Sequence, residues 1–539
     1  MTDAPPMATP EGEVIHDPHR KRMILAAVSV ALMAVIASMS GLNVAQQQLA
    51  LDFGASQSTI LWIINAYTLA LASLLMPIGA IGDRWGRKTV LVSGLAVFGF
   101  ASFAGAFAGS ATMMIGSRIV AGIGAAMIMP VTLSVITTSF PEEERGQAIG
   151  IWSGIAGGGA MVGMFVSAAM VDMVTWRWLF VLPIALVAVG LVLTVRFVPN
   201  SAEDHEHPFD LAGSVLSLLA IGGLVLGIQE GPERGWTDPL SFGSLTVGLI
   251  AAAAFIAWEL RHPAPLLDIR TFADRRLAAG SATLLTLFAV MSGIFLVLFP
   301  FFQAVLGWSA LHSASALLPM AAVMMPTSAL VPKLSAKLGT KPTLLTGMAI
   351  AAAGLATLAV SASVDGGYLS VLPGLLIIGL GTGLAMTPST EAITSSLPAD
   401  KQGVASALND TTREVGGAVG VALLGSILSS GYRNSIQPDL GGFPAEIARV
   451  AQEGIGAAFG VAPQAGAQAP ELIHTAQVAF VEGWTRSMWF GVIMIAVAFV
   501  FVALRGPRAK TLSAGQLDQV EYSGPADDDS VSAVPANVS

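Results

Sequence analysis

The sequence Asp83-Arg84-Trp85-Gly86-Arg87-Lys88 is a charged turn that joins two long apolar stretches, at residues 58–79 and 89–109. About 20 apolar residues in helical form cross the hydrocarbon of a bilayer, and a helix satisfies its own backbone hydrogen bonds there. Both stretches have this length. The turn therefore predicts two membrane helices that meet on one side of a membrane.

Apolar stretches of this kind recur along all 539 residues, of which 54% are hydrophobic and 11% charged. In an average soluble domain about 25% of the residues are charged. The stretches also lack the alternating pattern, about ten residues per strand, of a membrane barrel. We therefore predict an all-α membrane protein with fourteen spans. They lie at residues 23–46, 58–79, 89–109, 113–135, 147–170, 179–198, 211–229, 239–259, 278–301, 311–332, 343–362, 370–394, 404–428 and 485–504.

Basic residues are distributed unevenly between the two sides of these spans. If the N-terminus is inside, 19 of the 26 Lys and Arg lie in cytoplasmic segments, five lie outside, and Arg118 and Arg413 lie within spans. Cytoplasmic loops of membrane proteins carry such an excess of Lys and Arg. The distribution predicts a multi-pass protein of the cell membrane with both chain ends in the cytoplasm.

The chain contains an internal repeat. Residues 122–163 align without a gap on residues 379–420, with 12 identical pairs among 42, and the charged turn aligns on Ala336-Lys337-Leu338-Gly339-Thr340-Lys341 at a similar offset. Both copies have the same predicted orientation. Parallel repeats related by an axis along the membrane normal are typical of transporters that work by alternating access. We predict two parallel-related six-helix bundles plus two inserted helices.

These features divide the chain into five predicted parts. Residues 1–22 form a cytoplasmic N-terminal tail and 23–198 the first six-helix bundle. Residues 199–275 hold the inserted pair with its linkers, and 276–504 the second bundle with a long outer loop at 429–484. Residues 505–539 are a disordered cytoplasmic tail, because they are rich in Pro, Ser, Asp and Gly and poor in large apolar groups.

Composition excludes several classes of function. The net charge of -9 lacks the basic excess that a nucleic-acid binder needs to neutralise phosphates. With no cysteine and seven histidines, the chain has no thiolate metal site and no disulfide. No Gly-x-x-x-x-Gly-Lys-Ser/Thr loop for ATP is present, and the spans contain no convincing reactive constellation. We expect no enzyme activity, no cofactor and no metal.

Residues 79–88 resemble the loop signature between the second and third helices of the major facilitator superfamily; they are Gly79-Ala80-Ile81-Gly82-Asp83-Arg84-Trp85-Gly86-Arg87-Lys88. Fourteen spans with an inserted central pair resemble the fourteen-helix drug/proton antiporter branch of that family, and the resemblance covers roughly residues 20–505. Four further segments agree with it: Trp62 with Ala66-Tyr67-Thr68-Leu69, Trp176-Arg177-Trp178-Leu179-Phe180, Phe209-Asp210 and Pro265-Leu266-Leu267-Asp268.

The resemblance implies that the turn forms a cytoplasmic gate. The implied gate residues are Gly79, Asp83, Arg84, Gly86, Arg87 and Lys88. In the family the aspartate, here Asp83, pairs with basic residues and faces the start of a helix in the other half; the repeat places that start near Gly403. A carboxylate at a helix N-terminus is stabilised by about 0.3–1 kcal/mol, and by more when partly buried. Alternatively, these charges only solubilise a turn.

Arg118 lies inside the fourth span, in the segment Arg118-Ile119-Val120-Ala121-Gly122-Ile123-Gly124-Ala125-Ala126, which resembles the family's fourth-helix motif. The resemblance implies a role in proton coupling. An arginine within a span costs at least about 2.5 kcal/mol on insertion scales, so we expect it to face the bundle interior and to have a partner. A structural pair with a backbone carbonyl or polar neighbour is the alternative.

Several positions depart from the family pattern. Ala121 stands where glutamine is frequent, and Ser38 stands where an aspartate is common. In the fifth span Gly163 is kept, but Met164 replaces the usual proline and Ser167-Ala168 replace two glycines. These departures weaken the expectation of exchange relative to other modes of transport.

Exchange for protons requires a group that titrates within the membrane. Three acids lie within spans: Glu391, Asp410 and Glu414. Glu391 and Asp410 each lie seven residues from the predicted cytoplasmic boundary, about 10 Å deep at 1.5 Å per residue, and they could meet across two spans. Asp410, Arg413 and Glu414 share one helical face. Arg413 can hold one carboxylate ionised while burial favours the neutral form of the other. A static ion-pair network is the alternative.

The expected function is proton-coupled export of hydrophobic or cationic small molecules across the lipid bilayer. Candidate residues for binding the small-molecule substrate are Asn43, Gln46, Asn65, Tyr67 and Gln303, which are polar or aromatic groups at helical positions. Adaptable Met and Phe side chains would complete such a cavity. A lipid or endogenous-metabolite translocator and an uncoupled facilitator on the same fold remain alternatives.

Overall fold

The structure, a computed structural model, describes residues 15–202 and 209–506, except for the side chains of residues 43, 44, 47, 57 and 233. Within these ranges it is all-helical, and fourteen long helices are apolar enough to cross a membrane. The predicted all-α fold with fourteen spans is confirmed. The helices are α1 Pro18–Val44, α2 Gln57–Trp85, α3 Arg87–Ala106, α4 Ala111–Ser139, α5 Glu142–Met173, α6 Val181–Phe197, α7 Leu211–Arg234, α8 Pro239–Glu259, α9 Arg275–Pro300, α10 Leu318–Leu338, α11 Thr340–Ser361, α12 Leu372–Thr394, α13 Gln402–Ile436 and α14 Ala469–Arg505.

The sequence repeat is visible in the backbone. Gly86 separates α2 from α3 at φ 100°, and Gly339 separates α10 from α11 at φ 91°. Only glycine adopts this left-handed region without a steric cost, so both helices end at the same place in the repeat. We call the end of the bundle that contains these two turns, and the starts of α5 and α13, the basic end; it is the end predicted to be cytoplasmic.

The two halves pack their helices in the same order. In the first half α1 packs on α5, α2 on α4, and α3 on both α4 and α6; in the second half α9 packs on α13, α10 on α12, and α11 on both α12 and α14. Each half has a large buried apolar cluster. The halves meet where α2 packs on α13 and α5 packs on α10. Helix α4 also packs on α13, and α5 on α12, so the two six-helix bodies meet through several helix pairs.

The inserted helices α7 and α8 lie beside the interface between the halves. They pack closely on each other through Gly223 and Gly248, where a Cβ on either would meet backbone of the other helix. Helix α7 also packs on α2 and α13, one from each half. The inserted pair therefore contacts both bodies.

The segment at 429–484, which we predicted as a long outer connection between two spans, contains several short helices. Helix α13 continues to Ile436 and α14 begins at Ala469, with short helices Ala445–Ala451, Ile455–Val461 and Ala462–Gln468 between them. The apolar positions of this segment pack on one another: Tyr432 and Leu472 are buried, and the Tyr432 hydroxyl donates to the carbonyl of Ala451. We call this segment, residues 429–484 on the side predicted to be outside, the outer knob.

The chain ends fall largely outside the described residues. The predicted tails at 1–22 and 505–539 are described only from residue 15 and as far as residue 506. The first helix begins at Pro18 rather than at residue 23, because Asp17 caps it by accepting from the backbone N–H groups of His19 and Arg20 at 3.1 and 3.2 Å.

Close packing of α11 on α12 gives a testable prediction. A Cβ at Gly381 would lie 2.7 Å from the Cα of Ala351 and 2.7 Å from the carbonyl oxygen of Gly347. We expect Gly381→Val to lower the thermal midpoint of the purified protein by several degrees, since overpacking costs about 1–3 kcal/mol. Gly116→Val is the matched control, because a Cβ at Gly116 meets no atom within 4 Å. Equal midpoints for the two variants would contradict this packing.

Candidate functional site

The Asp83 carboxylate connects the two halves at the basic end. It lies near the end of α2 and accepts from the backbone N–H of Gly403 at 2.8 Å and from that of Val404 at 3.2 Å. These N–H groups belong to the first turn of α13, where the unpaired donors of a helix attract negative charge. Arg87 donates to the same carboxylate at 2.7 Å, and both side chains are buried.

Glycines allow this close approach of α2 and α13. A Cβ at Gly79 would lie 2.7 Å from the Cβ of Ala407, and a Cβ at Gly403 would lie 2.7 Å from the Asp83 carboxylate. The turn at Gly86 lies between Asp83, at the end of α2, and Arg87, at the start of α3. The two side chains nevertheless form one ion pair. Local backbone geometry therefore positions both charges.

The remaining charged gate candidates differ in their contacts. Lys88 donates at 2.7 Å to the carbonyl of Val195, in α6 of the same half, and Arg84 is half-buried. Arg87 also donates to the hydroxyl of Ser201 at 3.2 Å. Of the gate candidates, Gly79 and Asp83 thus reach the other half directly, Arg87 acts on Asp83, and Lys88 ties α3 to α6.

A second charged cluster lies deeper, on α13. Asp410 is fully buried and accepts at 3.3 Å from Arg413 and at 3.2 Å from the amide of Asn409. Its second carboxylate oxygen, Oδ2, has no hydrogen-bond partner among the described residues. An ionised carboxylate without full compensation is unfavourable in such surroundings, so this oxygen is a natural position for a proton.

Arg413 extends from the second half to the first. Its guanidinium lies over the ring of Phe288 in α9 at 4.5 Å and over that of Trp152 in α5 at 5.3 Å, and it donates to the carbonyl of Ala156 in α5 at 3.3 Å. Ala156 and Arg413 are aligned positions of the sequence repeat. A contact between equivalent positions of two related halves lies close to the axis that relates them. The cluster is therefore central.

Arg118 has a polar partner, and no ion pair with a carboxylate is found for it in residues 15–202 and 209–506. It is buried in α4 and donates to the Ser38 hydroxyl at 2.9 Å and to the Ser38 carbonyl at 3.4 Å. Its guanidinium also lies 4.2 Å from the ring centroid of Tyr67. Serine at position 38 thus meets the arginine at the place where the family commonly has an aspartate.

The two other acids lie on α12 and α13. Glu414 is half-buried and follows Arg413 directly on α13. The carboxylate of Glu391 points toward the start of α5: a Cβ at Gly146 would lie 3.8 Å from both of its oxygens. No hydrogen bond or ion pair joins Glu391 to Asp410 among the described residues, and that the two acids could meet across these spans stays a prediction. The rise per residue along a helix predicts how deep each acid lies, but not the direction in which its side chain points.

The candidate substrate residues differ in burial. Tyr67 is buried beneath Arg118, and its hydroxyl donates to the carbonyl of Val35 at 3.2 Å. Asn65 and Gln46 are half-buried, while Gln303 is exposed in a short π-helix, Phe301–Val305. The side chain of Asn43 lies outside the described residues.

Sequence reasoning missed three partners of Arg413: Trp152, Phe288 and Ala156. The repeat alignment held a signal for one of them, because it pairs Ala156 with Arg413. Within residues 15–202 and 209–506, no group of three or more His, Asp or Glu side chains is placed to hold a metal ion.

The chain is similar in sequence to one protein family and to several proteins of known name. Residues 27–421 match the family model of the Major Facilitator Superfamily. The chain is 31% identical over 496 residues to the multidrug efflux pump LfrA of Mycolicibacterium smegmatis, covering 90% of this chain and 97% of that protein. It is 31% identical to the methyl viologen resistance protein SmvA of Salmonella typhimurium, covering 86% and 93%. It is 30% identical to the multidrug resistance protein Stp of Mycobacterium tuberculosis, covering 78% of each chain.

Solved structures support the fold. The proton:xylose symporter XylE superposes with a TM-score of 0.59 at 14% identity, covering 94% of this chain and all of that chain. The human organic anion transporter MFSD10 superposes with a TM-score of 0.55 at 12% identity, covering 89% of this chain and all of that chain.

The Asp83 contact generates a prediction about the closed basic end. Asp83→Asn removes the charge that pairs with Arg87 and faces α13; loss of one partner of a buried ion pair costs about 3–5 kcal/mol. We expect maleimide to label a cysteine at the buried position Ser406 about tenfold faster or more, since 1.4 kcal/mol corresponds to a factor of ten. The chain contains no cysteine of its own, so Ser406→Cys is the only reactive thiol.

The matched control is Asp400→Asn, an exposed acid close to the start of α13. We expect it to leave the labelling rate of the thiol at position 406 unchanged. Equal rates in the Asp83→Asn variant and the unmodified background would reject a closing role for Asp83.

Proposed function

The chain belongs to the Major Facilitator Superfamily, and we propose that it is a proton-coupled exporter of hydrophobic or cationic small molecules. The observation that carries the proposal is the buried pair of Asp410 and Arg413 at the contact between the two halves. The names of LfrA, Stp and SmvA, which are an efflux pump and resistance proteins, support export of drug-like compounds.

Proton coupling would act through Arg413. While Asp410 is ionised, it holds the guanidinium beside the Ala156 carbonyl and the two aromatic rings. Protonation of Oδ2 removes the opposite charge, and Arg413 is then left with weaker neutral partners. The contact between α5 and α13 changes with it. A proton at Asp410 would thus favour one relative position of the halves and its loss the other.

A cationic substrate would compete for the same negative charge. Asp410 and Glu414 supply carboxylates, and Trp152, Phe288 and Tyr67 supply aromatic faces that attract cations. A proton and a cationic substrate that cannot both neutralise one carboxylate exchange with each other. This competition is a physical basis for antiport.

The basic end would act as the gate of this cycle. The contacts of Asp83 and Gly79 with the start of α13 support a closed state at that end. Opening it separates Gly79 from Gly403 and removes the helix N-terminus from the carboxylate. We propose that this end faces the cytoplasm, since the loops on this side carry 19 of the 26 Lys and Arg.

One observation favours uncoupled facilitation as the second candidate. Helix α5 runs from Glu142 to Met173 without a proline, and Met164 occupies the position where the antiporter branch usually has one. The close contact of Gly163 with Ala37 of α1 is retained. The difference between the two functions is the dependence of transport on a pH gradient.

Neutralisation of the central acid tests proton coupling directly. We expect Asp410→Asn to abolish dye accumulation in inverted membrane vesicles driven by a pH gradient, while the amount of protein in the membrane stays unchanged. We expect the same of Glu391→Gln, because it is the other acid at similar depth. Asp400→Asn serves as the exposed control and should transport normally. Full accumulation in both single variants and in the double variant would reject this role for the acids.

A panel of dyes separates exchange from facilitation. Inverted vesicles that contain the protein should accumulate cationic and hydrophobic dyes when the lumen is acid, and a protonophore should release them. Accumulation of neutral dyes only would argue against selection by a carboxylate. Dye movement that is the same with an intact and a collapsed pH gradient would identify a facilitator.

A further inference from the structure

Two buried carboxyl groups meet at the basic end of the inserted pair, away from the central cluster. Asp210 precedes α7 and Glu259 ends α8; they are 7% and 0% exposed. A Cβ at Gly213 would collide with a carboxyl oxygen of both residues at once, Glu259 Oε1 and Asp210 Oδ2, so these two oxygens approach the same point. Glycine at position 213 thus leaves the space in which the two acids converge.

Most oxygens of this pair have donors. Asp210 Oδ1 accepts from the backbone N–H of Gly213 at 2.8 Å and from the Trp258 indole at 3.0 Å. Glu259 Oε2 accepts from the backbone N–H of Leu267 at 3.2 Å. Glu259 Oε1, which faces Asp210, receives no N–H or O–H from the described residues.

A proton is the ligand that fits this remaining position. Two ionised carboxylates are both acceptors and repel each other, and neither can donate to the other. One proton converts the contact into a hydrogen bond. The nearby basic groups do not replace it: Lys401 acts on Glu259 only through space, and its Nζ donates to the Pro265 carbonyl at 2.7 Å.

His262 is the other titratable group that faces the pair. Its Nδ1 lies 4.0 Å from Asp210 Oδ2 and 2.9 Å from the carbonyl oxygen of Ala264, and its ring stacks on Trp258. The turn after α8 is thus built around this pair.

The same turn contacts the start of α13. Glu259 holds Leu267, and two residues before Leu267 the carbonyl of Pro265 accepts from Lys401. Lys401 lies two positions before Gly403, whose backbone N–H donates to Asp83. The inserted pair is thereby connected to the end of α13 at which the two halves meet.

We propose that Asp210 and Glu259 share one proton and form a pH-dependent clasp between the inserted pair and the start of α13. While the proton is bound, the turn at 260–268 is held in place and Lys401 keeps its carbonyl partner. Loss of the proton at higher pH places two negative charges side by side, and the turn separates from α8. The clasp is therefore closed at lower pH and opens as the pH rises. It does not depend on which substrate is transported.

The shared proton can be observed by infrared spectroscopy of the full-length protein. We expect the carboxylic C=O stretch of the unmodified protein to contain a component that disappears on alkalinisation and that is missing from both Glu259→Gln and Asp210→Asn. Glu230→Gln is the matched control: Glu230 is a buried acid at the other end of α7, but it pairs with Arg234. The component should persist in that variant. A band that is identical in all four proteins would overturn the shared proton.

Movement of the turn can be measured in the same range of pH. Spin labels at Pro263→Cys and Glu143→Cys, both exposed, report the distance between the turn and the start of α5 on a chain without other cysteines. We expect the distance distribution to broaden or shift as the pH rises in the background protein and in Glu230→Gln. It should stay narrow in Glu259→Gln, because an amide donates permanently to Asp210.

A distribution that does not change with pH in the background protein would overturn the clasp, and so would an unchanged pH response in Glu259→Gln. Both readouts are made without substrate or gradient. Failure of proton-coupled export would therefore leave them unaffected, and failure of the clasp would leave the transport tests unaffected.

Discussion

The backbones of two helices can come into contact only where no side chain lies between them. Helices α2 and α13, from different halves, approach each other in this way. Gly79 and Gly403 supply the space, and the Asp83 carboxylate uses it to reach two N–H groups that begin α13. An exposed carboxylate could form the same bonds only in competition with water. Asp83 is buried with Arg87, so the low dielectric strengthens these hydrogen bonds and makes their loss costly.

The central cluster of Asp410 and Arg413 uses the same kind of contact between the halves, but each half supplies the opposite partner. At the basic end the first half supplies a carboxylate and the second half supplies backbone donors; near the axis the second half supplies Arg413 and the first half supplies the carbonyl of Ala156. In both places a side-chain charge in one body meets a backbone dipole in the other. Such pairs have no second charge across the interface, so separating the halves leaves no unpaired ion in the opposite body.

The sequence alone predicted the fold well, because a membrane span can be identified from the length and the low polarity of a stretch of residues. It placed all fourteen helices, the repeat and the inserted pair. It did not give the bounds of the helices in the outer knob, since short helices such as Ile455–Val461 are stabilised by packing rather than by hydrophobic length. In the site, the sequence indicated Asp410 and Arg413 as charges in a span, but not Trp152 or Phe288, which resemble any lipid-facing aromatic. The direction of Glu391 depended on tertiary packing that helical spacing does not contain.

The outer knob belongs to one half of the molecule. It is built on α13 and α14 and on the short helices between them, which pack on one another and on the π-helix at the end of α9. All of these belong to the second half, and the first half has no equivalent of them among the described residues. Because the knob packs on helices of the second half, a probe attached to it would report the orientation of that half and not of the first.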